Sequence, residues 1–167
     1  MNANDLLTRQ HREVEQLFAR MEKGTGDRLE LLRDLASKLA AHMRIEEEIF
    51  YPRAKELLED KVLEGLEEHT LAAFALKRLA EVGVDHPSFE AKLKALKELV
   101  QHHVDEEESE MFPRIARAMD RQDLDEIGLE LEERFEEILE SGYGAELVRG
   151  AKRNGRASSR PQPRAMR

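Results

Sequence analysis

One short pattern occurs twice in this chain and constrains its fold more than any other feature. In each copy a histidine is followed four residues later by a glutamate and ten residues later by a proline. The first copy is His42, Glu46 and Pro52, and the second is His103, Glu107 and Pro113. Residues at i and i+4 lie on one face of an α-helix, with Cβ atoms about 5–6 Å apart. An imidazole and a carboxylate at this spacing can reach the same metal ion.

Hydrophobic residues recur at spacings of three and four along five segments, so the sequence predicts an all-α protein. We expect an antiparallel, up-and-down four-helix bundle within residues 1–120 and a short fifth helix, amphipathic, that packs on it over residues 121–141. The bundle helices are predicted over residues 5–23, from 27 to a stop between 52 and 59, 61–82, and 88–119. Charged residues make up 38% of the chain and aromatic residues 5%, which is typical of a helical bundle.

The same apolar stripes contain six polar residues where leucine or valine would otherwise be expected. A single histidine in such a stripe is usually explained by a hydrogen bond to a neighbour. Two buried carboxylates are different, because each loses its hydration and the two also repel each other. We therefore expect cations among these six side chains. They are His11, His42, Glu46, His69, His103 and Glu107.

The order of these residues divides the bundle into two similar halves. In each half one helix supplies a single histidine and the next supplies the histidine and glutamate four residues apart. Two helical hairpins with matching ligands can face each other as a quasi-twofold pair, so the sequence predicts a dinuclear metal site at the bundle centre. Cysteine is absent. A shell of nitrogen and oxygen ligands with four imidazoles favours iron, manganese, zinc or cobalt over calcium or magnesium.

The joint pattern H…HxxxE…H…HxxxE, followed in each half by Tyr51-Pro52 or Phe112-Pro113, resembles the hemerythrin-like HHE cation-binding domain family over residues 4–118. The resemblance implies a four-histidine, two-glutamate variant with a solvent-bridged centre of two non-haem iron ions. It also implies the ligands. His11 and His42 would bind one iron and His69 and His103 the other, up to an exchange of partners, while Glu46 and Glu107 would bridge.

One position departs from the oxygen carriers of this family. They have a fifth histidine one helical turn after the third, and the matching residue here is Ala73. Fewer protein ligands leave more open positions, which favours chemistry on bound O2, peroxide or nitric oxide over reversible oxygen carriage. The resemblance thus implies oxidative or nitrosative stress handling, with catalase-like peroxide breakdown favoured. The alternatives are a non-enzymatic oxygen or iron sensor, an iron-binding reserve, and a structural bundle with adventitious metal.

Several neighbouring residues have simpler interpretations. His102 also precedes a glutamate by four residues, but its stripe is less apolar than that of His103, so His103 is the predicted ligand. His86 lies in a proline-containing segment and is predicted to be solvated. The runs Glu46-Glu47-Glu48 and Glu106-Glu107-Glu108 are predicted to face solvent except for their stripe members.

Tyr51 follows Glu46 by five residues, which places it about 140° away around an ideal α-helix. We therefore predict that it packs near the site or donates a hydrogen bond there, and does not bind metal. Met43, Phe50, Met111 and Phe112 are predicted to form the apolar wall of the site.

Charge is divided unevenly along the chain. Residues 1–148 contain 20 basic and 36 acidic residues, a net charge of −16, whereas the segment from Arg149 onward contains seven basic residues and no acidic one. We predict that residues 142–167 form a basic, disordered tail, and that nucleic acid would contact this tail alone. The expected ligand is a small diatomic molecule or peroxide. With no membrane-length apolar run and no signal peptide, we expect a cytoplasmic monomer or weak homodimer.

Overall fold

The computed structural model describes residues 1–149 and residue 151, and this part of the chain is helical without strands. The helices are α1 (Ala3–Glu22), α2 (Arg28–Ile45), α3 (Tyr51–Val82), α4 (Phe89–Glu106), α5 (Phe112–Ala118), α6 (Arg121–Ser141) and α7 (Tyr143–Leu147). Two π-helical segments, Glu46–Phe50 and Glu107–Met111, join α2 to α3 and α4 to α5. The predicted all-α bundle is confirmed.

The long helix α3 is broken at Leu58, whose φ of −146° and ψ of 51° are not helical. The turns before Leu58 follow directly on the first π-helical segment, and the rest forms the third helix of the bundle. This break lies inside the predicted stop between residues 52 and 59. The fourth bundle helix is α4, the second π-helical segment and α5 together, close to the predicted range of 88–119.

Each π-helical segment precedes a proline at the first turn of the following helix. Proline has no N–H to donate, and its ring crowds the carbonyl of residue i−4, so an unbroken α-helix is unfavourable there. In the structure, Tyr51 N–H donates to the Glu46 carbonyl and Phe112 N–H donates to the Glu107 carbonyl, both with the i→i−5 spacing of a π-helix. The helices therefore continue past both prolines with an altered rotation.

The core divides into two apolar clusters with the polar residues between them. One cluster includes Phe18, Leu35 and Leu96, and the other includes Leu7, Ile45 and Phe112. The second cluster also contains the whole predicted stripe of α6, which therefore covers the bundle. That stripe is Leu124, Ile127, Leu131, Phe135 and Ile138.

The spacing of three and four predicts a stripe on the third bundle helix at Val62, Leu66, His69, Ala73, Leu76 and Ala80. This prediction is wrong at Ala73, which is exposed, whereas Ala72 is buried. The buried face of this helix instead follows Val62, Gly65, His69, Ala72, Leu76 and Leu79. The residue three places after His69, and not the one four places after it, therefore faces the core.

The chain after α6 also differs from the prediction of a disordered tail from residue 142. Residues 143–147 form the short helix α7, and Val148 and Ala151 are buried in the first cluster. The contact depends on Gly144, because a Cβ there would lie 2.3 Å from the Ser37 Cα of α2. A five-residue helix is too short to show periodicity in the sequence. Residues 150 and 152–167 of the predicted tail lie outside the described residues.

Candidate metal centre

The bundle brings the six predicted polar residues together between the two apolar clusters. All six side chains are buried, and Glu46 and Glu107 are 0% and 2% exposed. The residues come from four directions: α1 and α3 each supply one histidine, while α2 and α4 each supply one histidine and lead into the π-helical segment that begins with the glutamate.

The four imidazoles form two close pairs. The Nε2 atoms of His11 and His42 are 3.0 Å apart, and those of His69 and His103 are 3.1 Å apart. Two donor atoms that lie about 2.0–2.2 Å from one metal ion and at right angles are about 3.0 Å from each other. Each pair therefore has the spacing of two neighbouring ligands of a transition metal ion.

Each carboxylate contacts one histidine from each half of the chain. Glu46 Oε1 lies 3.3 Å from His42 Nε2, and Glu46 Oε2 lies 3.3 Å from His69 Nε2. Glu107 Oε2 lies 3.3 Å from His11 Nε2 and 3.6 Å from His103 Nε2. Both glutamates therefore lie between the two histidine pairs, where a bridging ligand would have to be.

The other ring nitrogen of every histidine faces an acceptor oxygen. The four Nδ1 contacts are His11 to Glu108 Oε1 (2.8 Å), His42 to Gln10 Oε1 (2.8 Å), His69 to Glu47 Oε1 (3.0 Å) and His103 to Glu68 Oε2 (2.7 Å). An acceptor at Nδ1 requires the proton to be there. In the neutral ring, each Nε2 then presents a lone pair to the centre.

With neutral rings, the centre consequently holds four nitrogen lone pairs and two carboxylates, and few hydrogen-bond donors face them. Both oxygens of Glu46 and Oε2 of Glu107 are buried without a donor among the residues that the structure describes. Such buried acceptors are costly unless cations compensate them. The donor set and its spacing therefore fit metal ions.

Protons on two of the histidines also compensate the buried carboxylates. Burial opposes protonation of His11, but hydrogen bonds to Glu107 and Glu108 outweigh it and raise the His11 pKa to about 9. Burial is likewise outweighed at His69, where Glu46 and Glu47 raise the pKa to about 9. A metal ion that binds at Nε2 must displace these protons.

Burial and neighbouring charges also shift the pKa values of His42, Glu46 and Glu107. Burial and then the neighbouring His11 cation lower the pKa of His42 well below its ordinary value. Burial and then the charge of Glu107 raise the pKa of Glu46. Burial also opposes ionisation of Glu107, but His103 and His11 outweigh it and hold its pKa below the ordinary range.

Tyr51 lies at the centre because of the first π-helical segment. The wider turn places residue i+5 near the face of residue i, so the 140° separation of an ideal α-helix does not apply. The Tyr51 hydroxyl donates to Glu107 Oε1 (3.0 Å) and lies 3.3 Å from His69 Nε2. Burial, followed by the charge of Glu107, raises the Tyr51 pKa well above its ordinary value, so the hydroxyl keeps its proton.

The position equivalent to Tyr51 in the other half is Phe112. Its ring stacks on His11 at 5.9 Å, as the Tyr51 ring stacks on His69 at 5.3 Å. Met43, Phe50 and Met111 are also buried. Together with Phe112 they are the four side chains that were predicted to form the apolar wall.

The sequence analysis missed the acceptors behind the histidines. Glu47 and Glu108 belong to runs that were predicted to face solvent, yet each holds an Nδ1 atom of the opposite half. Their side chains remain 37% and 24% exposed. A signal was present in the repeat. The residue after each buried glutamate, Glu47 or Glu108, accepts from a histidine of the other half. The residue before His11 or His69, which is Gln10 or Glu68, accepts from the second histidine of the same half.

The structure separates His103 from its neighbour as the sequence pattern predicted. His103 lies in the centre, whereas the side chain of His102 is 65% exposed. His86 is exposed in the turn before α4, as predicted, and its Nδ1 accepts from the Ser88 backbone N–H.

Two cavities adjoin the centre. A small apolar cavity of about 20 Å³ is bounded by the four histidines together with side chains such as Val14, Leu39 and Met43. A surface cavity of about 640 Å³ lies between α2, α3 and α7, and its lining includes His69, Ala73 and Met43. His69 and Met43 border both cavities.

Comparison with known proteins agrees with the geometry. A family model of the hemerythrin HHE cation binding domain matches residues 2–115. The fold is similar to the crystal structure of a hemerythrin HHE cation binding domain-containing protein from Mycobacterium kansasii, the Rv2633c homolog, with a TM-score of 0.78 and 25% sequence identity over 90% of this chain and 99% of that one.

A second match is to a protein of Nostoc sp. (strain PCC 7120 / SAG 25.82 / UTEX 2576) described as a DNA nickase. It is 27% identical over 118 residues, and the alignment covers 69% of this chain but only 34% of the relative's length. Among the residues described, no helix is long and apolar enough to cross a membrane.

Proposed function

The chain belongs to the hemerythrin HHE cation-binding domain family, and on that premise we propose that it is a non-haem di-iron protein that binds O2, peroxide or nitric oxide at the bundle centre. Its favoured role is oxidative or nitrosative stress handling, by catalase-like breakdown of peroxide. The observation that carries this proposal is the convergence of four Nε2 lone pairs and two carboxylates, three of whose oxygens lack a donor in the described part of the chain.

The residues divide into two proposed metal positions. His11 and His42 would hold one iron ion and His69 and His103 the other, since each pair already has the spacing of adjacent ligands. Glu46 and Glu107 would bridge, because each contacts both pairs. When bound, the iron pair would supply ferrous and ferric states and open positions for a small ligand.

Access to the centre supports chemistry over simple oxygen carriage. The surface cavity reaches His69 and is bordered by Ala73, whose methyl group stands where the oxygen carriers of the family have a further histidine. The inner cavity of about 20 Å³ has room for roughly one water-sized molecule. This volume limits any ligand beside the imidazoles to a very small molecule and excludes a larger organic substrate.

Protein groups would control protons and water at this point. The Tyr51 hydroxyl donates to Glu107 and lies beside His69 Nε2, which provides an O–H donor at the centre. The apolar side chains of Val14, Leu39 and Met43 border the inner cavity and limit the water that enters it. A bound reactive species would thus be shielded from the solvent.

The alternative is a non-enzymatic sensor of oxygen or iron, or an iron reserve, built on the same centre. The DNA nickase activity named for the Nostoc relative does not suit this chain. The match covers about a third of that protein, and residues 1–148 carry a net charge of −16, which repels a phosphate backbone.

The first test is elemental analysis of the purified protein, with absorbance spectra before and after peroxide is added to the anaerobically reduced form. We expect about two irons per chain and near-ultraviolet ferric bands that return after each addition. Repeated release of oxygen from peroxide supports the enzyme, and a single oxidation per site supports the sensor or reserve.

Two variants sharpen the test. His42→Ala should lose iron and the ferric bands, whereas His86→Ala, which changes an exposed histidine away from the centre, should retain both. Stoichiometric zinc or manganese, or iron that persists in His42→Ala, would refute the proposed di-iron centre.

A further inference from the structure

A second group of metal-ligating side chains lies on the outer side of His103. It consists of Glu68, His102 and Glu106, and their ligand atoms all lie within 4.8 Å of one another. His102 Nε2 is 3.3 Å from Glu68 Oε1 and 3.5 Å from Glu106 Oε1. The three side chains are 16%, 65% and 24% exposed, in chain order, so a hydrated ion can reach them.

The distances and atom types suit a labile divalent cation. An ion bound by one imidazole nitrogen and two carboxylate oxygens would keep water ligands on its opposite side. Mixed nitrogen and oxygen ligands suit ferrous or manganous ions. The same contacts occur in a salt bridge to a protonated histidine. Two further observations favour a cation site.

The first observation is where the chain departs from its internal repeat. The positions equivalent to Glu68, His102 and Glu106 in the other half are Gln10, Ala41 and Ile45. Ala41 and Ile45 are buried in the cluster covered by α6, whereas the side chains of His102 and Glu106 are partly exposed. This difference in exposure explains why His102 and Glu106 are polar. It does not explain why all three counterparts are metal-ligating types whose ligand atoms converge.

The second observation is a direct link to the buried centre. Glu68 Oε1 faces His102, while Glu68 Oε2 accepts from His103 Nδ1 at 2.7 Å. A cavity of about 10 Å³ is bounded by Glu68, Glu106, His103 and Glu107. Glu107 is 2% exposed, and its Oε2 has no donor among the described residues. Glu68 and Glu106 of the outer cluster and Glu107 of the buried centre therefore border the same small cavity.

We propose that Glu68, His102 and Glu106 form a surface site for a divalent cation, and that this site holds ferrous iron on its way to the buried centre. The site itself is independent of the proposed function, whereas its role in iron delivery rests on it. Glu68 is the shared residue: one oxygen would bind the incoming ion while the other orients His103.

Lys61 provides a perturbation of opposite sign. Its Nζ lies 3.1 Å from Glu106 Oε2 and also contacts Glu64 and Glu110. This ammonium group competes with any cation at Glu106. Lys61→Gln should therefore tighten cation binding, a gain that general destabilisation of the protein would not produce.

The binding test uses Mn²⁺ alone, added to the protein as purified and followed by the electron paramagnetic resonance signal of the free ion. We expect one reversible Mn²⁺ per chain in addition to the metal that remains after gel filtration. His102→Ala should weaken this binding by at least about tenfold, Lys61→Gln should strengthen it, and His86→Ala should leave it unchanged. Equal binding by the wild type and His102→Ala would overturn the site.

The delivery test measures the rate at which the metal-stripped protein takes up ferrous iron, followed by its ferric absorption after exposure to air. His102→Ala should load several-fold more slowly and reach the same final iron content. An unchanged rate would overturn the delivery role. A chain that takes up no iron would instead refute the di-iron proposal, and the Mn²⁺ comparison would still decide whether the surface site exists.

Discussion

Gly65, in the middle of α3, leaves the space that the Tyr51 hydroxyl occupies. A Cβ at Gly65 would lie 2.7 Å from the Tyr51 hydroxyl oxygen and 3.1 Å from Cζ, closer than van der Waals contact allows. The equivalent pair in the other half is Leu7 with Phe112, both buried. The helix position thus carries leucine opposite the phenylalanine and glycine opposite the tyrosine. Gly65→Ala tests whether the tyrosine hydroxyl requires the glycine.

The expected cost follows from three contributions. Alanine is favoured over glycine in a helix by about 0.8–1 kcal/mol. The forced contact with Tyr51 costs about 1–3 kcal/mol, and displacement of the hydroxyl weakens a hydrogen bond to a charged acceptor that is worth about 1.5–3 kcal/mol. We expect Gly65→Ala to lower the free energy of unfolding by about 1–3 kcal/mol.

When Tyr51 is replaced by phenylalanine, Gly65→Ala should destabilise the protein less, or even stabilise it. The substitution removes the oxygen at 2.7 Å, so only the contact at 3.1 Å remains and the helical preference for alanine offsets it. Tyr51→Phe alone should cost about 1.5–3 kcal/mol, because Glu107 Oε1 loses its donor. In the double variant the added cost of Gly65→Ala should fall by at least about 1 kcal/mol.

The assay is urea unfolding of the metal-stripped wild type, both single variants and the double variant at pH 7. Gly144→Ala serves as a control, because its Cβ would meet the backbone of Ser37 and its effect should add independently to that of Tyr51→Phe. The reasoning is refuted if Gly65→Ala costs the same with tyrosine and with phenylalanine at position 51.

Two further predictions concern the metal-stripped protein. Glu46→Gln should change the free energy of unfolding of the metal-stripped protein by less than about 1 kcal/mol, since the amide can donate to His42 and accept from His69. The same substitution should reduce the stabilisation that added iron gives. Thermal unfolding with and without iron measures both effects, and a loss of several kcal/mol without iron would contradict the prediction. The pKa of His11 and His69 is raised to about 9, so their stabilising contribution is complete below about pH 6.5 and is lost as the pH rises through about 9, by up to roughly 3 kcal/mol each. Urea unfolding between pH 6 and 10 checks the direction, and stability that rises over this range would refute it.

Periodicity predicted the parts of this molecule that depend on one helix at a time. His42 and Glu46 share a helix face because they are four residues apart, and the stripe of α6 follows from the same rule. Contacts between halves are not encoded in that way: Glu108 reaches His11 across 97 positions of the chain. The rule also fails at Tyr51, because the π-helical segment before Pro52 changes the rotation per residue. It fails again for α7, whose contact with α2 depends on the missing side chain of Gly144.

The internal repeat accounts for two metal positions, and the departures from it make them unequal. Behind His69 and His103 are two carboxylates, those of Glu47 and Glu68. Behind His11 and His42 are one carboxylate and one amide, Glu108 and Gln10.

A carboxylate that accepts from Nδ1 makes the imidazole a stronger ligand than an amide does. The Tyr51 hydroxyl and the outer cluster at His102 also lie on the side of His69 and His103. We therefore expect a cation that enters this bundle to bind first at the position of His69 and His103, because the second carboxylate behind the imidazoles and the outer cluster both lie there.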